Sequence, residues 1–226
     1  MSLLFCEATP DPKKGKTAKK LYGEHIGNIL SKVQSTIISA GNECETLIMD
    51  KVPDKKIIFD LDIFLRNIPI YGKFIWYNCK RYMNRRGEFK NPKILKGNKG
   101  PDFILFDCDC EMIIIIEHKL NDEFDTKKLE MEMEKLKLYS KMIGKNLKWN
   151  IKECLCIFQG NKDEIFQHLK SKYKKITIDN VMVDDELFSL LGMSGIKLLE
   201  DRLVQKNCQD FCKSILEVVR EDHLDL

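Results

Sequence analysis

Two short apolar runs separated by a polar turn constrain this chain more than any other feature. Phe103-Ile-Leu-Phe106 and Met112-Ile-Ile-Ile-Ile116 are short, aromatic and β-branched, so both read as buried strands rather than helices. Asp107-Cys-Asp-Cys110 and Glu111 between them are polar and turn-like, which predicts an antiparallel hairpin. Pro101-Asp102 opens the first run and Glu117-His118-Lys119 closes the second, so Asp102 and Glu117 are expected side by side at one end. Alternation along the strand puts Glu117 and Lys119 on one face and His118 on the other.

That juxtaposition has chemical consequences. Two carboxylates converging on one point repel unless a cation joins them, and hard oxygen ligands suit Mg²⁺, with Mn²⁺ as a substitute. A lysine beside them is placed to hold or deprotonate a water while the metal steadies a scissile phosphate. The expected chemistry is metal-dependent phosphodiester hydrolysis, with Asp102, Glu117 and Lys119 as its catalytic set. A second match to the bare pattern, Pro53-Asp54 with Glu88-Phe-Lys90, lies against Gly87 and Asn91-Pro92 in turn-prone sequence, where no strand presents it.

Pro101-Asp102 and Glu117-His118-Lys119 resemble the motif of the PD-(D/E)XK nuclease superfamily, to which most type II restriction endonucleases belong. The resemblance implies an α/β fold with an αβββαβ core, a central mixed sheet flanked by helices. It implies that Asp102 and Glu117 bind metal, that the backbone carbonyl of His118 is a further ligand, and that Lys119 activates the attacking water. The superfamily often draws another acidic ligand from its first helix. Gly41-Asn-Glu-Cys-Glu45-Thr-Leu-Ile48 resembles a Gly-x-x-x-Glu-x-x-Ile pattern of several restriction endonucleases and favours Glu45; Glu24 is the other candidate. His25 beside it matches the first-helix histidine of cap-snatching viral endonucleases. RecB-type nucleases carry Gln and Tyr four residues apart on the helix after the hairpin; here the Tyr is Tyr139 but the earlier position is Lys135.

Charge is distributed unevenly. The net charge is +3, yet Lys73, Lys80, Arg81, Arg85, Arg86, Lys90, Lys93, Lys96 and Lys99 face only Glu88 within 73–100. That segment carries +8 and the remainder −5. Phe74, Trp76, Tyr77, Tyr82 and Phe89 are interleaved with the charges. Cations for phosphates and aromatics or arginines for bases suit a nucleic-acid partner, so the residues from Lys80 to Lys99 are the expected DNA contacts. Lys127, Lys128 and Lys135 on the following helix are additional candidates.

At 226 residues and 43% hydrophobic content the chain can bury a substantial core. The expected organisation is a single domain: a basic arm at 1–16, a catalytic core at 17–160 and a helical extension at 161–226. A helix is predicted from Thr17 to Ala40, with Tyr22, Ile26, Ile29, Val33 and Ile37 as its buried stripe and an interruption at Gly41-Asn42. Lys56 to Leu65, Phe74 to Tyr77 and Glu153 to Phe158 are candidate strands. Asp125-Thr126 opens an amphipathic helix whose buried stripe is Leu129, Met133, Leu136 and Ile143; further helices are predicted near 163–173, 184–192 and 195–220. No apolar stretch reaches membrane-spanning length, and the nine cysteines lack a Cys-x-x-Cys pair, which fits reduced thiols in a cytoplasmic protein.

The sequence therefore points to a Mg²⁺-dependent endonuclease on double-stranded DNA, best matched by a homodimeric type II restriction endonuclease without a small-molecule cofactor. A junction resolvase, a viral-type RNA endonuclease and a non-catalytic DNA-binding module are the alternatives.

Overall fold

The computed structural model describes residues 4–8, 16–96, 99–119, 126–145, 147–158, 160–193 and 201–224. Helix α1 (Lys16–Lys51) continues through Gly41-Asn42 and departs from helical geometry at Gly23 instead (φ 80°, ψ 171°). An interior glycine costs a helix only about 1 kcal/mol, which the good helix formers beyond Gly41 outweigh. The break at Gly23 resets the helical phase, so Tyr22 is exposed while Ile29 is buried.

The chain forms two compact units, Met1–Ile48 with Lys197–Leu226, and Met49–Ile196. In the second unit Asp60 ends the extended stretch predicted over Lys56 to Leu65. Its side chain accepts the Ile63 N–H (3.0 Å) and caps the short helix α2 (Leu61–Phe64), leaving an isolated bridge of Ile57 to Ile75, with the Ile58 N–H donating to the Ile75 carbonyl (2.8 Å), in place of a strand.

Strand β1 (Lys73–Tyr77) follows, then the single-turn helix α3 (Lys80–Met83), β2 (Phe103–Asp107) and β3 (Met112–Lys119). Helix α4 (Thr126–Gly144) leads to β4 (Asn150–Ile157); α5 (Lys162–Lys172), β5 (Val181–Val183) and α6 (Asp184–Leu190) complete the unit. The sheet order is β1-β2-β3-β4-β5, with β1, β2 and β3 antiparallel and β4 and β5 parallel to their predecessors. A parallel pair needs a crossover, which α4 supplies between β3 and β4 and α5 between β4 and β5. The result is the expected α/β class, a mixed sheet flanked by helices. β5 escaped the sequence reading because three residues are too few for a period to show.

All five residues of β2 and Ile113 to Ile116 of β3 are buried. Each apolar side chain there contributes roughly 1.5–3 kcal/mol by burial, which locks the hairpin register at Phe103↔Ile116 through Asp107↔Met112. α4 lies on the sheet face that carries Glu117 and Lys119, with Ser140 Oγ donating to Glu153 Oε1 (2.5 Å). The described cysteines are free thiols; burial raises Cys154 to about 12 and Cys108 to about 11, so both are inert.

The first unit joins α1 to helix α7 (Asp201–Leu224) and a short turn at Phe5–Glu7. The Phe5 N–H donates to Asn207 Oδ1 (2.8 Å), and its ring meets Phe211 edge-on at 5.8 Å. No described helix is long and apolar enough to cross a membrane.

Candidate active site

Continuing the β2–β3 register one step past Phe103↔Ile116 sets Asp102 opposite Glu117, and a second step sets Pro101 opposite His118. Facing residues of an antiparallel pair share a face, with Cβ atoms roughly 4.5–5.5 Å apart. Strand β3 outruns β2, and over Glu117 to Lys119 its regular partner is β4 alone. On the β2 side the His118 N–H donates to Asp102 Oδ2 (2.8 Å), so the aspartate side chain takes over where the ladder stops. The Lys119 carbonyl accepts from Phe158 N on the β4 side (2.8 Å). Backbone groups alternate along a strand, so the His118 carbonyl points toward the β2 side, and Pro101 opposite it brings no N–H to the ladder.

The ammonium of Lys119 contacts Glu117 Oε1, and both side chains are largely buried. Burial works against the charged lysine, but contact with Glu117 and the fields of Asp102 and Glu132 outweigh it and hold its pKa above the usual lysine value. The residue is thus a cation and hydrogen-bond donor beside two carboxylates. His118 faces the other way, between the rings of Phe103 (6.2 Å) and Phe158 (6.1 Å), and burial together with the Lys119 charge pushes its pKa down to about 4. Its imidazole is a neutral packing group.

Asp102 is fixed by its approach. The Asn78 N–H donates to the Asp102 carbonyl (2.9 Å), and the Asn78 amide reaches the Lys99 carbonyl. Gly100 has φ 80°, and a Cβ there would lie 2.8 Å from Leu95 Cδ1 and 3.2 Å from Asn78 Nδ2. A side chain there would be strained by the left-handed backbone and would press on Leu95 and Asn78.

Helix α4 adds Glu132, which the sequence reading did not single out. Glu132 has a side chain only 13% exposed and pairs with Lys135 at 3.1 Å. The buried Tyr139 is raised by burial; its phenol is hydrogen-bonded to the Gly100 backbone and lies in the fields of Glu117, Lys135 and Glu132. Glu132, Lys135 and Tyr139 are spaced to share a helix face, adjoining the Leu129–Met133–Leu136 stripe. That spacing was the available signal, and Lys135, exposed as expected, meets Glu132 from the solvent side.

Two hard-oxygen carboxylates on one sheet end fit Mg²⁺ or Mn²⁺ in donor type. Among the described residues no three His, Cys, Asp or Glu side chains form a ready-made cluster for a metal. Glu24 is exposed and paired with Lys19 (3.6 Å), His25 is exposed, and Glu45 is half-buried on α1; all three belong to the other compact unit.

Of the basic segment, Lys80, Arg81, Arg85, Lys93, Lys96 and Lys99 are exposed, and Lys90 is exposed beside Asp60 (3.7 Å). Arg86 departs from the expectation of a DNA contact. Its Nη1 donates to the Met49 carbonyl (2.6 Å) and Tyr82 Oη (3.3 Å), and its Nη2 to the Val52 carbonyl (2.8 Å) and Asp54. The guanidinium ties the end of α1 to α3. Lys73 similarly pairs with buried Asp107 (3.2 Å), at the opposite end of the hairpin from Glu117.

The sequence is similar to the Type II restriction enzyme HhaII of Haemophilus parahaemolyticus, 29% identical over 182 residues, covering 78% of this chain and 76% of that enzyme. A match of that extent on 226 residues includes the stretch from Asp102 to Tyr139 wherever its ends fall. No family model matches the chain, and no solved structure matches it.

Proposed function

We propose that this protein is a Mg²⁺-dependent endonuclease that hydrolyses phosphodiester bonds in double-stranded DNA, as a sequence-specific restriction endonuclease of type II and of the PD-(D/E)XK kind. The observation that carries the reading is the meeting of Asp102, Glu117 and Lys119 at the end of one hairpin. The likeness to a type II restriction enzyme across most of both chains supports the substrate class.

Asp102 and Glu117 would hold the metal, with the His118 carbonyl as a backbone ligand. When bound there, the metal would supply Lewis acidity toward the scissile phosphate. Lys119 would orient the attacking water beside these carboxylates and help to activate it. The buried neutral His118 packs the strand from behind and keeps its backbone in line. Lys80, Arg81, Arg85, Lys90, Lys93, Lys96 and Lys99 contact phosphates, and Arg86 anchors the segment that bears them. A homodimer in the reducing cytoplasm fits palindromic target sites and free thiols.

The test is digestion of sequenced plasmid DNA with Mg²⁺. Discrete fragments are expected, EDTA should abolish them, and Lys119→Ala should cut at least about a thousandfold more slowly while still retarding DNA in a gel. A wild-type protein that leaves DNA intact with both Mg²⁺ and Mn²⁺ refutes the reading; cutting confined to branched DNA moves it to a resolvase.

A further inference from the structure

We propose that Asn78 is a positioning residue for Asp102: its side-chain amide clasps the Lys99 carbonyl, holds the short approach to the aspartate, and so keeps the carboxylate at the end of the hairpin. This rests on the nuclease reading above and goes beyond it, since Asn78 lies outside the Asp/Glu-x-Lys motif and brings no charge to a metal or a phosphate.

The first support is where the regular ladder ends. Strand β2 begins at Phe103, so Asp102 stands just outside it, between β1 and β3. Its carbonyl accepts the Asn78 N–H (2.9 Å) on the β1 side, and its Oδ2 accepts the His118 N–H (2.8 Å) on the β3 side. The His118 amide therefore reports on where the carboxylate lies.

The second is a double grip. Asn78 holds one short stretch twice, through its backbone at Asp102 and through its Nδ2 at Lys99. Between the two grips lie Gly100, with φ 80°, and Pro101, which has no N–H to give a neighbour. A bend made at a glycine has wide conformational freedom once untied. The fit is close: a Cβ on Gly100 would lie 3.2 Å from Asn78 Nδ2 and 3.3 Å from the buried ring of Trp76. Tyr139 also meets the Gly100 backbone, from α4, so loss of the Asn78 amide loosens this approach without unfolding it.

The third is that most of the basic segment is seated without this clasp. Arg86 is tied to the Met49 and Val52 carbonyls, and the Lys90 N–H donates to the Phe59 carbonyl (3.1 Å). The carboxylate of Asp62 accepts the N–H groups of Lys93 (2.6 Å) and Ile94 (3.0 Å). Of the cations offered to phosphates, Lys99 lies in the stretch that Asn78 holds. Removing the amide is thus a perturbation of Asp102 far more than of DNA binding.

The experiment compares wild type, Asn78→Ala, Asn78→Asp and Asn78→His. Asp keeps the size and loses the donor, whereas His keeps an N–H at the same distance from the backbone. Single-turnover cleavage, DNA affinity in EDTA, calorimetric titration with Mn²⁺ and amide hydrogen exchange in EDTA are measured for each. Expected in Asn78→Ala and Asn78→Asp is a cleavage constant about tenfold to a hundredfold lower, with DNA affinity within about threefold of wild type. Mn²⁺ affinity should fall about tenfold if Asp102 is in place about a tenth of the time. Asn78→His should recover part of each loss. Without any metal, the His118 amide should exchange about tenfold faster in Asn78→Ala, while the Phe158 amide, bonded to the Lys119 carbonyl on the β4 side, keeps its wild-type rate. Both amides accelerating together would mean general destabilisation and overturn the inference. So would an unchanged His118 amide, wild-type cleavage by Asn78→Asp, or a loss of DNA affinity as large as the loss of cleavage. A wild type that cuts no DNA is a different result: it removes the nuclease reading, and the His118 amide still decides whether Asn78 holds Asp102.

Discussion

Arg86→Met removes a guanidinium while keeping most of the apolar stem. It is expected to destabilise the protein and leave DNA binding largely alone, although Arg86 stands in the most basic stretch of the chain. The magnitude follows from its partners. Two backbone carbonyls, those of Met49 and Val52, lose charged donors at 2.6 and 2.8 Å, and such hydrogen bonds are worth roughly 1.5–3 kcal/mol each. Arg86 is 20% exposed, so water replaces part of this. Asp54 is 72% exposed and adds at most about 1 kcal/mol. The sum is a loss of about 2–4 kcal/mol. With a urea slope of about 2 kcal/mol/M the midpoint should fall by about 1–2 M. The companion assay is the salt dependence of DNA affinity. Each phosphate contact removed lowers the log–log slope by about 0.9, so Lys80→Ala and Arg81→Ala should each flatten it while Arg86→Met does not. A midpoint shifted by less than about 0.3 M, together with a slope reduced by about 0.9, would show that Arg86 faces DNA and refute the reasoning.

Gly100→Ala should cost about 2–4 kcal/mol in urea unfolding, from a left-handed backbone and a methyl pressed into Leu95 and Asn78; a loss under about 0.5 kcal/mol would mean the turn relaxes freely. His118 bears on stability against pH, measured in EDTA. Its folded pKa is about 4 against 6.5 unfolded, so the unfolded chain binds the proton first and wild-type stability falls between about pH 6.5 and 4, by about 3 kcal/mol from this residue. His118→Phe should lack that component, so that the variant gains on wild type as pH drops through the window. Parallel curves would show that His118 is solvated.

The hairpin and α4 were legible in the sequence because each has a clean period: continuous β-branched residues for β3, and Leu129, Met133 and Leu136 for α4. The meeting of Asp102 with Glu117 and Lys119 was legible for the same reason, since register makes them cross-strand neighbours. What sequence could not show was governed by distant side chains. Asp60 captures its own backbone and converts an apparent strand into a capped turn. Arg86 carries the same charge as Arg85, yet only the carbonyls at the end of α1 decide that it turns inward. Glu132 comes to the sheet face that carries Lys119 because a crossover helix returns over the sheet, which no local pattern encodes. Tyr139 reaches Gly100 by the same route.

The pairing of Asp102 with Glu117 is set at the other end of its hairpin. Four residues, Cys108 to Glu111, join β2 to β3, and Glu111 turns there with a positive φ of 48°. Strand geometry puts that turn about 17 Å from the carboxylates. Removing one residue from it changes the parity of every facing pair, so that Asp102 would stand across from His118 or Ile116. The number of residues in a remote surface turn is thus a part of what specifies the candidate site, one that no substitution of an acidic residue would reveal.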